Sequence, residues 1–560
     1  MATNLSTKTL ELRNAEAFAN SFSSEISYIF IGDSTPYLND ANSPPQIVQT
    51  PEVLSDVLNS MVALKKVTAG EVKLSVPRVD WTSDTKYMQF DNLAVTEQLI
   101  EGDASINTKP FYVMAPSTRN VYKCLSNGSG SISTVEPTGD YSTSNGVVDN
   151  TGSDGYVWKY MYNIRDSDQF VNSTFIPVPT RNYTDFTPSS DTVYGSYSIR
   201  NDTVVEGELT TIVVTHPGSG YRDFTNVRTF AFETTNTNTS DGKNRTIQVT
   251  GAFLSEVGLT IDQVASANMT VSGGASLFSD DTFIESVDTV RNKITLTKPV
   301  LANSDGSVSN TISLTTRIFV DGVTTASEPA EASAILGSSG AIQRANVTQF
   351  GSNYADKINV KVFGTATSNI ANLRAVIPPF FGHGFDIGKD LFANSVVAVS
   401  KFGEIDSTEG GLVPSDFSFR QIGLIRNPYK YGVNTISSSS NTADGANTVV
   451  RQTTKVFVSS GVSYDDQEFV FQGDSSTDYT AGGFVHRIES ATLLEVTQIQ
   501  GELEVGKVLV GSNSGASRVI TQIIDPEFEP KSADLLFVDN RNPITRTDGQ
   551  AESVRLTIRF

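Results

Sequence analysis

Few residues in this chain have the types and spacing needed for metal or nucleophilic chemistry. The three histidines, His216, His383 and His486, lie far apart, and neither an HExxH motif nor a CxxC pair occurs. Cys124 is the only cysteine and stands in an apolar run, which predicts a buried structural thiol and no intrachain disulfide. His383 lies between two glycines, and we interpret it as a turn residue. The sequence therefore predicts neither a zinc site nor a cysteine nucleophile.

Acidic residues are abundant, but their pattern selects no reaction. A carboxylate pair for glycoside hydrolysis is compatible with this abundance, which by itself identifies no such pair. Asp465, Asp466 and Asp474 do not follow the spacing of an EF-hand loop, and we interpret them as solvated turn acids. Gly207 and Gly340 precede predicted strands, whereas a phosphate-binding glycine precedes a helix. We predict no catalytic residue, no metal, no cofactor and no enzymatic activity.

The aromatic residues are concentrated at 151–165, where turn residues lead into a strand. Asp154 and Gly155 form the turn, because aspartate bonds its own backbone and glycine accepts positive φ. The rings that follow alternate along the chain, so they project from one face of a strand. These rings are Tyr156, Trp158, Tyr160 and Tyr162. We expect a core strand in which Trp158 is buried against a helix predicted at 51–66.

The composition predicts a β-rich, acidic protein. Among its 560 residues, 18% are charged, against roughly 25% in typical domains, and serine, threonine, asparagine and glycine replace them. The net charge of −21 disfavours a nucleic-acid partner or an anionic membrane. Neither an apolar signal segment nor a run of roughly 18 apolar residues is present, so we expect folding in a reducing cytoplasm and no membrane association.

The secondary-structure signals predict a mainly β protein with some α (an α+β scaffold). We expect several domains, with sandwich-like or barrel-like modules and inserted β domains. Periodicity predicts helices at 10–24 and 51–66, and alternation predicts many short strands. Thr50 is a candidate N-cap of the second helix, and Pro51 suits its first position. The predicted divisions are an N-terminal α+β scaffold at 1–184, a β-rich domain at 185–376, a return to the scaffold at 377–434, a small inserted β domain at 435–530, and C-terminal scaffold strands at 531–560.

An internal repeat lies within the second division. Residues 207–230 match residues 340–363, with shared glycine, Gly-Ser and tyrosine positions that include Gly218/Gly351 and Tyr221/Tyr354. Each copy is typical of a strand, a Gly-Ser turn, an aromatic residue and a second strand. Two copies are too few for a solenoid, so we predict two paired β modules with an inserted β segment between them.

Several stretches resemble the baseplate wedge subunit called gene product eight in T4-like contractile-tailed phages. Among them are Val76-Pro-Arg-Val-Asp-Trp81, Val121-Tyr-Lys-Cys-Leu125, Asp154-Gly-Tyr-Val-Trp-Lys-Tyr160 and Phe419-Arg-Gln-Ile-Gly-Leu-Ile-Arg-Asn-Pro428. The resemblance covers about residues 10–182, 415–430 and 533–560, so the chain looks like an enlarged version. The motif positions are Pro77, Arg78, Asp80, Trp81, Asp154, Gly155, Tyr156, Trp158, Arg420, Pro428, Asn540 and Pro543.

The resemblance implies a structural, non-enzymatic virion protein. It implies a homodimer that contacts other baseplate wedge proteins, is assembled in the host cytoplasm, and takes part in the host-triggered rearrangement of the baseplate. Two other functions stay open from the residues alone. One is a tail adhesin that binds host glycan through 185–375 or 453–525, and the other is a cell-wall hydrolase that uses paired carboxylates.

Overall fold

The computed structural model describes most of the chain and confirms the mainly β, multi-domain class. Every pairing between its named strands is antiparallel, and short helices occupy a small part of the described residues. The described residues are 7–32, 35–37, 44–140, 146–164, 169–179, 205–232, 245–249, 268–272, 278–279, 282–288, 290–291, 293–300, 310–322, 329–354, 358–402, 417–433, 449–547, 550 and 552–560.

The chain forms two compact units. Unit 1 contains residues 1–77, 167–178 and 392–560, and unit 2 contains residues 78–166 and 179–391. Unit 2 thus contains both 78–166 and 179–391. The predicted divisions assign the first of these ranges to the N-terminal scaffold and most of the second to the β-rich domain at 185–376. Those five divisions stay predictions.

Two helices open unit 1, and each has the N-cap that its sequence indicates. Helix α1 is Lys8–Ser21, with Thr7 as its cap. Helix α2 is Pro51–Asn59, where the Thr50 hydroxyl accepts from the Val53 amide at 3.3 Å and Pro51 takes the first turn.

The prediction of a helix over 51–66 is wrong in its second half. The helix ends at Asn59, and residues 61–67 form a strand that pairs on both sides. Lys65 and Lys66 therefore lie on that strand and not at a helix end; Lys65 is buried, and its Nζ donates to the Lys401 carbonyl at 2.7 Å. The periodicity of the helix continues into Met61, but pairing with neighbouring strands satisfies more backbone groups here than another helical turn would.

Unit 1 contains two open sheets. Sheet A has the strand order β23-β2-β1-β22-β30, and sheet B has the order β31-β21-β3-β8. Val57 and Leu58 of α2 pack on Tyr28 and Phe30 of sheet A. The strands are β1 (Ser27–Gly32), β2 (Met61–Val67), β3 (Val72–Pro77), β8 (Phe175–Val178), β21 (Ser395–Phe402), β22 (Phe417–Arg426), β23 (Val449–Arg451), β30 (Asp534–Arg546) and β31 (Glu552–Arg559).

The predicted small β unit near 453–525 is a closed six-stranded barrel. Its order is β24-β27-β26-β25-β28-β29. Its core includes Val456, Val470, Val485 and Leu509, all completely or almost completely buried. The strands are β24 (Thr454–Val458), β25 (Phe469–Ser475), β26 (Asp478–Ser490), β27 (Leu493–Gln500), β28 (Val508–Gly511) and β29 (Ser517–Ile524).

The two ends of the barrel segment are hydrogen-bonded neighbours, because Lys455 on β24 pairs with Ile524 on β29. A segment that enters and leaves at one point, closes its own sheet and has its own core has what it needs to fold alone. We expect the fragment 453–525 to unfold cooperatively when heated, as followed by far-UV circular dichroism. A fragment 453–512, which lacks β29 and leaves the barrel open, should show no such transition. Absence of a cooperative transition in 453–525 would contradict this prediction.

The described residues of unit 2 form three sheets and two short helices. Sheet C has the order β4-β5-β7-β6, sheet D the order β18-β17-β16-β19-β20-β9, and sheet E the order β12-β15-β10-β11-β14-β13. The helices are α3 (Thr96–Glu101) and α4 (Ile387–Asp390). The strands are β4 (Tyr112–Met114), β5 (Asn120–Asn127), β6 (Val147–Asp149), β7 (Tyr156–Asn163), β9 (Ile212–His216), β10 (Phe224–Phe232), β11 (Thr246–Val249), β12 (Thr270–Ser272), β13 (Ile284–Asp288), β14 (Lys293–Leu296), β15 (Asn310–Thr315), β16 (Arg317–Gly322), β17 (Glu331–Leu336), β18 (Ile342–Gln349), β19 (Ile358–Phe363) and β20 (Asn372–Ala375).

The internal repeat builds sheet D as two interleaved halves. The sheet is symmetric in its order: β18, β17 and β16 on one side correspond to β9, β20 and β19 on the other. The amide of Tyr221 donates to the Gly340 carbonyl at 2.9 Å, and the amide of Tyr354 donates to the Gly207 carbonyl at 3.3 Å. The two tyrosine hydroxyls accept in equivalent ways, from the amides of Ala371 and Ala330. Each copy of the repeat therefore accepts a backbone hydrogen bond from the tyrosine of the other copy.

The second part of the sequence match, which aligns 226–230 with 359–363, is misleading. Residues 224–232 form β10, which belongs to sheet E, and β16 takes the place in sheet D that corresponds to β19. Sheet E is thus inserted between the first strand of copy one and the rest of that copy. The predicted inserted β segment is confirmed, and the repeat holds through Tyr221 and Tyr354.

Candidate functional site

The aromatic strand β7 is buried along almost its whole length in unit 2. Trp158 is completely buried, as predicted, and its ring stacks on Tyr156 at 5.3 Å and meets Tyr87 edge-on at 5.6 Å. Tyr122 and Tyr160 form a cross-strand pair at 6.0 Å. The packing partners of Trp158 are these rings, whereas α2, the helix expected against it, belongs to unit 1. The expected partner was wrong because sheet C supplies its own aromatic layer.

Asp154 ties the turn before β7 to the neighbouring segment 133–135. Its Oδ2 accepts from the amides of Thr134 and Val135 at 2.9 and 3.1 Å and from the Ser133 hydroxyl at 3.3 Å. Its Oδ1 accepts from the Tyr156 amide at 3.0 Å. The indole N–H of Trp81 donates to the same Ser133 hydroxyl at 3.1 Å. These motif residues are therefore brought together as one buried hydrogen-bond network.

The other motif positions occupy separate places. Gly155 has a φ of 88°, which favours glycine, and Arg78 forms a surface pair with Asp80 at 2.9 Å. In unit 1, the Asn540 side chain accepts from Gln421 at 2.8 Å and donates to the Pro45 carbonyl at 2.8 Å. Arg420 and Pro428 are buried, and Pro77 and Pro543 are half-buried at strand positions.

Sequence reasoning missed two lysines that lie at the centre of sheet C. Lys123 on β5 is directly opposite Lys159 on β7, and their side chains are 0% and 1% exposed. Directly opposed like charges destabilise a sheet, and a buried charge is costly without a partner. The structure supplies two carboxylates. Lys123 Nζ is 3.4 Å from Asp390 Oδ1, and Lys159 Nζ is 3.7 Å from Glu208 Oε2. We call these four residues the buried ionic cluster.

Burial shifts the pKa of every member of the buried ionic cluster toward the neutral form. Loss of solvation lowers the pKa of Lys123 and of Lys159, and for Lys123 the neighbouring Lys159 lowers it further. Loss of solvation likewise raises the pKa of Asp390 and of Glu208, against the opposing effect of the lysines. Each of the four groups is therefore easier to neutralise in the buried ionic cluster than in solvent.

Aromatic rings and a buried imidazole surround the Lys123 end of the cluster. The ammonium nitrogen lies 3.8 Å from the centroid of the Phe90 ring, and His383 meets that ring edge-on at 5.1 Å. His383 lies in a turn, as predicted, but it is 1% exposed, and burial lowers its pKa well below the ordinary value. Its Nδ1 has no hydrogen-bond partner among the described residues. His383 is therefore a neutral imidazole inside the protein.

A sequence signal for this cluster existed. Both lysines interrupt apolar aromatic runs, in Tyr122-Lys123-Cys124 and Trp158-Lys159-Tyr160, and a lysine inside a core strand requires a partner. The partners could not be identified, because Glu208 and Asp390 are 49 and 267 residues away from their lysines and the chain contains 62 acidic residues. Only the folded chain selects them.

The remaining candidates from the sequence have structural surroundings. Cys124 is buried, and burial raises its pKa, as expected of an inert thiol. Asp465, Asp466 and Asp474 are exposed, although Asp474 lies on β25 and not in a turn. Loss of solvation lowers the pKa of His486 to about 3, and its ring packs on Phe417 at 4.5 Å. His216 is exposed and bonds to Asn369 at 2.8 Å.

Two features are absent from the described residues. No three His, Cys, Asp or Glu side chains there are grouped as a metal ion would require. Within the same ranges, no helix is long and apolar enough to cross a membrane.

Comparison with known proteins gives no further guide. No protein-family model matches the chain, and no curated protein matches it.

Proposed function

We propose that this chain is a structural subunit of a contractile phage tail, a non-enzymatic baseplate wedge protein of the gene product eight type. In this role it acts as a dimeric scaffold that holds neighbouring wedge proteins during tail assembly and moves as a body when the baseplate rearranges on host contact. Its place is the tail baseplate of the virion, after assembly in the host cytoplasm.

The observation that carries the proposal is the location of the residues in the resembling segments. Trp81 and Asp154 both bond to the Ser133 hydroxyl, and Trp158 packs in the same apolar cluster as Trp81. Gln421 and Asn540 join two strands of sheet A and a preceding loop. These side chains hold sheets and loops together and present no reactive group to a substrate. A subunit that transmits a mechanical rearrangement needs such closely packed, rigid parts.

The net charge of −21 supports the same role. A wedge protein has to remain soluble as a free subunit until its partners arrive, and mutual repulsion between acidic copies disfavours aggregation.

The purified chain is expected to be a homodimer. Size-exclusion chromatography with multi-angle light scattering at micromolar concentration should give twice the chain mass of 60.3 kDa. An electron-microscopy map of an intact tail that contains this chain should then place paired copies in each wedge of the baseplate. A monomer in solution, or density for the chain outside the baseplate, would count against the proposal.

A further inference from the structure

The buried ionic cluster places an amine and a carboxyl group in a setting suited to covalent reaction. Lys123 Nζ lies 3.4 Å from Asp390 Oδ1, and the two side chains are 0% and 3% exposed. Lys123 comes from strand β5 and Asp390 from the end of α4, so a bond between them would join two distant parts of unit 2. The fold therefore holds the reacting groups near each other at no further entropic cost.

We propose that Lys123 and Asp390 form an intramolecular isopeptide bond, and that this bond is a covalent crosslink within unit 2. The Nζ atom attacks Cγ of Asp390, a C–N bond forms, and the bond from Cγ to Oδ1 breaks. One proton leaves Nζ and joins the departing hydroxyl, so one water is released and no oxidant or other co-reactant is needed. The product is a neutral secondary amide.

The surroundings of Lys123 and Asp390 favour both the amine as nucleophile and the carboxyl group as the site of attack. An amine is a nucleophile only when unprotonated, and a carboxyl group loses hydroxyl more readily when it carries a proton, so the neutral forms that burial favours are the reactive ones. The Phe90 ring lies against Nζ, and Phe111 lies 5.9 Å from it, which leaves the amine in an aromatic environment. The Gly384 amide donates to Asp390 Oδ2, the oxygen that remains as the amide carbonyl, and would stabilise negative charge that develops there.

His383 places a neutral imidazole on the Phe90 ring that Lys123 Nζ also contacts. Its imidazole is held neutral by burial, and its Nδ1 has no partner among the described residues. Lys159 and Glu208 complete the setting as a second buried pair, and whenever Lys159 carries its proton it lowers the pKa of Lys123 further.

The position of such a bond indicates how it would stabilise unit 2. Formation of the amide replaces one of the two opposed lysine amines of sheet C, together with the carboxyl group of Asp390, by a neutral group that cannot ionise in the core. It also ties β5 to α4 across 267 residues of sequence, which restricts the unfolded chain as a disulfide would. A protein with a single cysteine has no intrachain disulfide for this purpose.

Mass spectrometry of the full-length protein tests the proposal. Under denaturing conditions, the intact mass should be one water below that of the sequence. Trypsin cannot cut after an acylated lysine, so digestion should give one branched peptide that joins residues 120–159 to residues 390–401. Fragmentation should place the branch at Lys123 and Asp390.

Two variants serve as controls. Lys123→Met and Asp390→Ala should each abolish the branched peptide and restore the mass expected from the sequence. The wild-type digest is decisive even where a variant does not fold. Recovery of the unbranched peptides 120–123 and 390–401 from wild-type protein, together with an intact mass that lacks the loss of water, would overturn the proposal.

Discussion

Replacement of Glu208 by alanine is expected to reduce the free energy of unfolding of unit 2 by about 3–5 kcal/mol, because it leaves Lys159 buried without its carboxylate. Glu208 Oε2 lies 3.7 Å from Lys159 Nζ, and both side chains are almost fully buried. The remaining amine has either to keep a charge in a low-dielectric core or to give up its proton. Both tryptophans of the chain, Trp81 and Trp158, belong to unit 2, so urea unfolding followed by tryptophan fluorescence reports this loss.

The matched control is the double variant Lys159→Met with Glu208→Leu, which replaces the pair by apolar side chains of similar size. When both ionisable groups are removed together, neither is left buried without its partner. The double variant should therefore regain most of the free energy of unfolding that the single variant loses. A single variant as stable as the wild type, or a double variant as unstable as the single one, would show that the pair is not an energetic unit.

The loss in Glu208→Ala should also depend on pH. Burial lowers the pKa of Lys159 in the folded protein below its ordinary value of 10.5, so the folded state releases this proton more readily than the unfolded chain. Above pH 10.5 the lysine is neutral in both states and costs no stability. As the pH falls toward the lowered pKa, the unfolded chain binds the proton first, so the free energy of unfolding decreases. The difference in stability between the variant and the wild type should shrink as the pH is raised toward 10.

Replacement of Gly207 or of Gly340 by alanine is expected to cost about 3 kcal/mol or more, and the two costs should be similar. Both glycines have a left-handed backbone, with φ of 65° and 67°, which costs other residues about 1–2 kcal/mol. A Cβ at Gly207 would collide with the backbone nitrogen of Tyr354, and one at Gly340 would collide with the carbonyl oxygen of Tyr221. Backbone cannot move aside as a side chain can, so overpacking adds about 1–3 kcal/mol.

Gly220 supplies the control for these variants. Its φ is 85°, but a Cβ there would meet no atom within 4 Å, and the corresponding residue of the second copy is Asn353, with a φ of 58°. Gly220→Asn should therefore cost about 1 kcal/mol or less. Urea unfolding by tryptophan fluorescence ranks the three variants. If Gly220→Asn were as damaging as the other two, left-handed geometry alone would explain the effect, and the interlocking of the two copies would not contribute.

Local patterns in the sequence determined many elements of this protein correctly. Alternation predicts strand β7, the concentration of rings predicts the burial of Trp158, and Thr50-Pro51 predicts where α2 begins. The even spacing of short strands predicts a small barrel or sandwich at 453–525, and the structure has the barrel. These features depend on side-chain periodicity, capping and turn chemistry within a few residues, and such information is present in the sequence itself.

Only the tertiary structure decided how those elements pair. Residues 61–67 leave the helix because β1 lies beside them, and β16 rather than β10 completes sheet D. It also decided that Asp390 and Glu208, among the 62 acidic residues, face Lys123 and Lys159. Strand pairing and the choice of a buried counter-charge depend on groups that are distant in sequence, and periodicity along the chain carries no information about which distant group arrives.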